Sequence, residues 1–411
     1  MNSDHIMENS IVPNYIRKRS LAFKMVNFLF LIFIVRITFL TTQKDAPGLD
    51  AYIMLQLVSV TAMFLIALIQ NQVSVKLVPR SMPIFLALSL YGLAMLSYTW
   101  SVMPELSLVL AIQNVMFIYI IFYLMGYPDD FYATEKYLII LLVVPLLASL
   151  LRKPVTYGII PTLSYYLQYH ELNAGGISAV LIVYCLSERL SWPKNLNVQR
   201  AKMLTWMTIF GFFCLMISTS SGANVSMLVG FITLMLIRRK WFYLFALLAC
   251  VLAITIFPGI IDDVTSYIFP NKSRDTIMMA TGRTVLWSDI WQMFQEKPIL
   301  GWGFATVERL CNIYASDSHN SFLGILGGLG ILGAFIFVLF IISLIFKMFK
   351  LRYLHGYTGL FCATVCMVSN SNTFGFLSGK IYGLTIAFFA LMASGYWYQL
   401  KLADENANVE E

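Results

Sequence analysis

Twelve apolar runs, most of them close to membrane-crossing length and the eleventh short, separated by polar connections, constrain this chain more than any other feature. They fall near 25–41, 52–70, 83–98, 106–125, 137–151, 174–186, 203–217, 225–237, 241–257, 323–346, 357–368 and 381–398. A helix needs roughly 20 apolar residues to cross a bilayer core. With no water in that core, every backbone polar group must be satisfied inside a helix or a closed barrel. The chain is 59% hydrophobic and 12% charged, against about 25% charged in soluble domains. A water-soluble fold of this size could not hide so much apolar surface. The reading is an all-α, polytopic membrane protein with about 12 transmembrane helices and one long extracytoplasmic loop.

The formal net charge of +7 does not call for a nucleic-acid partner. Lys and Arg gather in the short connections, as in Arg17–Lys18–Arg19, Arg189–Lys194, Arg238–Arg239–Lys240 and Lys347–Lys350–Arg352. Such clusters set orientation by staying cytoplasmic, which puts both termini inside. The first run is longer than a signal-peptide core and lacks a small-x-small cleavage pattern, so it reads as an uncleaved span. The organisation expected is a tail at 1–24, spans one to nine over 25–257, an outer loop at 258–320, spans ten to twelve over 321–398, and a tail at 399–411. Arg36 is the one charge placed inside a span, either snorkelling to the interface or facing a polar cavity. Cys185, Cys214, Cys250, Cys311, Cys362 and Cys366 lie mostly in apolar runs and suit small core residues, with no metal or disulfide implied. No internal repeat is visible, which speaks against a transporter built from two halves.

Polar chemistry has one large place to occur, the stretch TGRTVLWSDIWQMFQEKPILGWGFATVERLCNIYASDSHNSFLGILGGLGILG at 281–333. After TGRT, Trp287, Ile290, Trp291 and Phe294 share one helical face. This predicts an amphipathic helix lying on the membrane with its Trp side down. Arg283 stands at its start, where free N–H groups and a cation suit a bound phosphate. The alternatives are lipid headgroups or pairing with Asp289 or Asp275. GWGF at 301–304 is a turn, and it lacks the third glycine, strand and helix of a nucleotide site. Asp317 or Ser318 is expected to cap the tenth span, placing His319 in its first turn. There the helix dipole favours a neutral imidazole able to accept a proton; an ordinary capping or interfacial His is the alternative. The glycines from Gly324 to Gly333 leave a bare face for close approach of backbone or ligand. Asp317, Ser318 and His319 are consecutive and so cannot form a hydrolytic triad, which is assembled from separate elements.

These residues resemble a known family. TGRTVLWSDIWQMFQEKPILGWGF followed by SHNSFLGILGGLGILG is similar to the C-terminal region shared by O-antigen ligases and polysaccharide polymerases, most of all the succinoglycan-type exopolysaccharide polymerase branch. WSVMPELSL at 100–108 and HELN at 170–173 resemble weaker landmarks of that family. The resemblance implies an enzyme of the bacterial inner membrane, working at its outer face without metal or nucleotide. A glycan on undecaprenyl pyrophosphate moves to the sugar hydroxyl of another lipid-linked unit, or, in a ligase, to lipid A core. It leaves room for a chain-length-regulating partner. His319 matches the family's outer-loop His, which would deprotonate the acceptor, and Arg283 its phosphate-contacting Arg. Members often carry a second Arg between spans seven and eight, where this chain reads SSGAN. Either Ser220, Ser221 and Asn224 bind the phosphate, or a cation from elsewhere does: Arg309, Lys380, Arg274 or Lys272. Asn320, beside His319, joins the substrate-binding candidates. Trp302, Tyr314, Tyr165, Tyr166 and Tyr169 could stack on sugar rings. A lipid-linked glycan transporter or flippase is the reading from another class, and it would need charges within spans that are nearly charge-free here.

Overall fold

A computed structural model describes residues 21–39, 49, 51–70, 81–128, 130–156, 171–191, 197–218, 220–240, 283–311, 317–353 and 357–410. Among these there are thirteen α-helices and no strand. They are α1 (Leu21–Phe39), α2 (Ala51–Gln70), α3 (Met82–Leu96), α4 (Pro104–Gly126), α5 (Phe131–Thr156), α6 (Glu171–Ser191), α7 (Val198–Ser218), α8 (Ser221–Ile237), α9 (Arg283–Glu296), α10 (Val307–Leu310), α11 (Ser321–Leu351), α12 (Tyr357–Asn370) and α13 (Gly383–Glu410). Eight are long and apolar enough to cross a membrane, and α8 and the first part of α13 are shorter apolar helices. A helix covers every expected span within the described residues. The ninth, at 241–257, lies outside them, as do Cys250, Lys272, Arg274, Asp275, Tyr314, Tyr165, Tyr166, Tyr169 and His170.

The helices sort by what surrounds them. α4, α12 and the apolar part of α13 are buried on nearly every face, and α6 packs against α7, α8 and α12. Close approach is possible where side chains are small: Gly211 of α7 sits over Ile182, and Gly230 of α8 over Val183. α1, α2, α7, α8 and α11 instead expose large apolar side chains outward, among them Phe28, Val58, Ile69, Trp206, Phe213, Phe335 and Ile342. An outward apolar surface of this extent is stable facing lipid and not water. The five described cysteines are buried.

Several helices run past the apolar stretches that announce them, and the extra turns carry charge. Arg200 of α7 bonds Glu135 of α5 through Nε (2.6 Å) and Nη2 (2.6 Å), and Glu188 of α6 through Nη2 (3.1 Å). Glu188 also accepts from Gly359 N of α12 (2.7 Å), and Tyr184 donates to Glu135 (3.1 Å). All three charged groups are buried. The expectation that Arg36 is the only charge inside the spans is thus corrected: an apolar-run criterion ends a span at a charge, whereas paired charges let the helix continue. Arg36 itself bonds Gln56 and the Tyr52 carbonyl of α2, and Arg152, fully buried, donates to the Thr38 carbonyl (2.9 Å).

At the other end of the bundle the glycine-rich start of α11 is filled by backbone. α11 breaks at Gly330 (φ 64°, ψ −163°), a conformation open almost only to glycine. The 298–303 segment bonds to the opened turn: Trp302 N donates to Gly327 O (3.1 Å), Gly303 N to Gly328 O (2.8 Å), and Ile331 N to Pro298 O (2.8 Å). The WSVMPELSL segment clamps the same strip from behind. Val102 N donates to Trp302 O (3.2 Å), Trp100 Nε1 to Leu300 O (2.9 Å), and Ser107 Oγ to Phe304 O (2.9 Å). The two stretches that stand out in the sequence are therefore partners in space. A Cβ at Gly330 would lie 2.2 Å from Ile299 O. Gly330→Ala should cost at least about 1–3 kcal/mol from backbone strain alone, read as a lower unfolding temperature in detergent; an unchanged temperature would contradict this account of the break.

Candidate active site

Asp317 is the hub around which the polar end is built. Its Oδ1 accepts from His319 N (2.5 Å) and from Gly375 N (3.1 Å), so it ties the lead-in to α11 to the α12–α13 connection. Its Oδ2 lies 3.7 Å from His319 Nδ1. The short turn from Asp317 to His319 holds His319 at φ 52°, a left-handed conformation uncommon for this residue. The cap of α11 is Asn320, whose side chain accepts from Leu323 N (3.0 Å). This corrects the expected cap at Asp317 or Ser318 and moves His319 out of the first turn. The reason is that Asp317 is already engaged by His319 N and Gly375 N. The imidazole remains partly open, with 22% of its side chain exposed, and its ring stands 6.4 Å from that of Phe374.

Arg283 begins α9, and Trp287, one turn on, donates from Nε1 to Ser318 O (3.0 Å). That bond anchors the start of α9 beside the His319 turn. The Arg283 guanidinium feels Asp317: burial pulls its pKa down, and the attraction of Asp317 opposes the change. His319 and Arg283 therefore share one carboxylate neighbour. The buried face of α9 is Leu286 and Ile290, packed on Val307 and Cys311 with Met293 and Leu323 alongside, and Trp291 is exposed. α9 packs its aliphatic stripe on α11 and α10, and Trp291, on the side expected to face the membrane, stays exposed.

The connection SNSNTFGFLSGK at 369–380 contributes more than a turn. It interlocks with 317–321 through Ser321 N to Ser371 O (2.8 Å), Leu377 N to Ser321 Oγ (3.3 Å) and the paired hydroxyls of Ser318 and Ser378 (3.3 Å). Asn114 of α4 pins it by donating to Gly379 O (2.8 Å). Between this connection, α4 and α10 lies a pocket walled by Glu308, Arg309, Asp317, Lys380 and Tyr382. Arg309 and Lys380, two of the cations proposed to replace a second Arg, thus face one space together, both buried. Burial pushes the Glu308 carboxyl up to about 7, Asp317 adds to the rise, and Arg309 and Lys380 oppose it. Glu308 and, Lys380 apart, the α12–α13 connection were not singled out in the sequence. The signal available was a run of Ser, Asn and Gly ending in Lys380, where a bare turn needs none of them.

The remaining candidates sit nearby with different duties. Ser220 caps α8, its hydroxyl accepting from Ala223 N (3.4 Å). Ser221 and Asn224 are partly exposed in the first turn of α8, and Gly222 between them packs on Thr373 of the same connection. Asn320 uses its side-chain oxygen as a cap and reaches Asn372 O with its amide (3.5 Å). Trp302 donates to Met293 O (2.7 Å) with Lys297 over its ring, a structural placement for one proposed sugar-stacking aromatic.

A family model described as O-antigen ligase matches residues 206–338. That match supports the O-antigen ligase and polymerase superfamily for this stretch of the chain. The matched stretch runs from α7 into α11 and contains Ser220, Arg283, Glu308, Arg309, Asp317 and His319. Lys380, Phe374 and Tyr382 lie beyond it, so Lys380 and Tyr382 join the pocket with this O-antigen ligase-type region only through folding. A search of curated proteins gives no match.

Proposed function

We propose that this protein is a polysaccharide polymerase that transfers a glycan from undecaprenyl pyrophosphate to the sugar hydroxyl of another lipid-linked repeat unit, at the periplasmic face of the bacterial inner membrane. The single observation that carries this reading is Asp317, which lies beside His319, attracts the Arg283 guanidinium and lines the pocket holding Arg309 and Lys380. His319 takes the proton of the attacking hydroxyl, and Asp317 supports the imidazolium that forms. The bond between the anomeric carbon and phosphate breaks, and its electron pair leaves with the diphosphate. Arg283, Arg309 and Lys380 offset that charge where water is scarce. Diphosphate is a good leaving group, so the scheme needs no covalent intermediate and no cofactor enters it. The excess of Lys and Arg in the short connections on the other side supports an outward-facing polar end with both termini in the cytoplasm.

The test is reconstitution of the full chain with a lipid-linked repeat unit. Products lengthened by whole repeats mark a polymerase; transfer only to lipid A core marks the ligase with the same chemistry. No glycan transfer to any acceptor, by a protein that inserts normally, ends the reading in favour of a transporter. Within it, Arg309→Gln together with Lys380→Gln should slow transfer by about 10²–10³-fold, the scale on which losing aligned transition-state charge is felt. Initial-rate measurement at saturating donor checks this, and a double variant as fast as wild type would remove the pair from the site.

A further inference from the structure

Glu308 is a buried acid with no role in the scheme so far. It is 3% exposed, and its Oε2 has no hydrogen-bond partner among the described residues. It lines the same pocket as Arg309 and Lys380. A buried lone carboxylate oxygen is costly unless it is protonated or meets a ligand's donor. The pocket's cations are arranged for an anion, and a carboxylate beside an incoming diphosphate would repel it. A protonated carboxyl would not: it donates to a phosphate oxygen. We propose that Glu308 is a catalytic acid of this site, passing its proton to the diphosphate oxygen that leaves the anomeric carbon.

The proposal rests on the glycan-transfer reading and completes its proton balance. The acceptor oxygen bonds the anomeric carbon, and its proton goes to His319. The carbon–oxygen bond to phosphate breaks, and Glu308 protonates the departing oxygen, ending as carboxylate. His319 then gives its proton to water and Glu308 regains one from water, so the net change is glycan moved and lipid diphosphate released. The titratable groups facing Glu308 are Asp317, Arg309, Lys380, Tyr382 and Cys311. Burial and Asp317 hold its proton on, to about pH 7, against the two cations. The protonated form is the active one, so the rate should fall as pH rises through that value.

The experiment compares reconstituted wild type with Glu308→Gln and Glu308→Asp. Gln keeps shape and a hydrogen-bond donor but has no proton to give. It should lower kcat by about 10²-fold or more, the scale of a lost general acid, with KM little changed and the fall at alkaline pH gone. Asp, which restores an acid, should recover part of the rate. A Gln variant with wild-type kcat, or one that keeps the alkaline fall, overturns the proposal. Infrared difference spectra give a readout apart from turnover: below pH 7 wild type should show a protonated-carboxyl band that Glu308→Gln lacks and inorganic pyrophosphate moves. Absence of that band overturns the assignment even where glycan is transferred. A band that pyrophosphate moves, in a protein that transfers no glycan, keeps Glu308 as the diphosphate's proton partner and overturns the transfer reading instead.

Discussion

Replacing His319 with alanine should slow glycan transfer by about 10²–10⁴-fold, the usual contribution of a positioned general base. Alanine alone is an imperfect test, because residue 319 sits at φ 52° and alanine disfavours that region by about 1–2 kcal/mol. Asparagine tolerates it much better, cannot act as a base near neutral pH, and leaves the bond from the 319 amide to Asp317 in place. His319→Asn should therefore fold and insert as wild type does and still lose transfer. Chain-length gels at matched expression, together with initial rates on reconstituted protein, read both. Full transfer by the Asn variant would exclude His319 from the chemistry whatever the Ala variant does.

The second large effect is on stability. Arg200→Met should destabilise the protein by about 3–5 kcal/mol, the range for removing one partner of a buried ionic group. The change strips a cation bonded to both Glu135 and Glu188 and leaves these two carboxylates close together out of water without it. The loss should appear as a lower midpoint in detergent unfolding, with transfer by the surviving folded fraction near normal, since the network lies at the end of the bundle away from His319. Converting Glu135 and Glu188 to Gln in the same chain should return most of the loss, because the buried charge is then gone. An Arg200→Met midpoint equal to that of wild type would show that the network contributes nothing to holding α5, α6, α7 and α12 together.

Much of this architecture was legible because the bilayer leaves few options. A run such as 106–125 can only be a helix in lipid, and α4 spans Pro104–Gly126. What the runs could not convey is where a charge is allowed. Glu188 and Arg200 look like loop residues until Glu135 is seen beside them. The loop motifs were legible as locations but less so as geometry. The glycines of α11 announced close approach, and the approaching group is the backbone at 298–303. His319 was placed inside a helix that begins two residues later, because capping competes among neighbours and Asn320 takes it.

By itself, the sequence determined that the chain is a bundle of apolar helices with many of its polar residues gathered in the stretch 281–333. Those conclusions follow from hydration and from local periodicity, which act residue by residue. Only the tertiary structure decided that Glu308, Asp317 and Lys380 line one pocket with Arg309. Lys380 lies on the far side of two helices from Asp317 in the chain, and packing of α11, α12 and α13 alone brings them together. Long-range contact of that kind leaves no period in a sequence, because it depends on which faces of which helices bury each other.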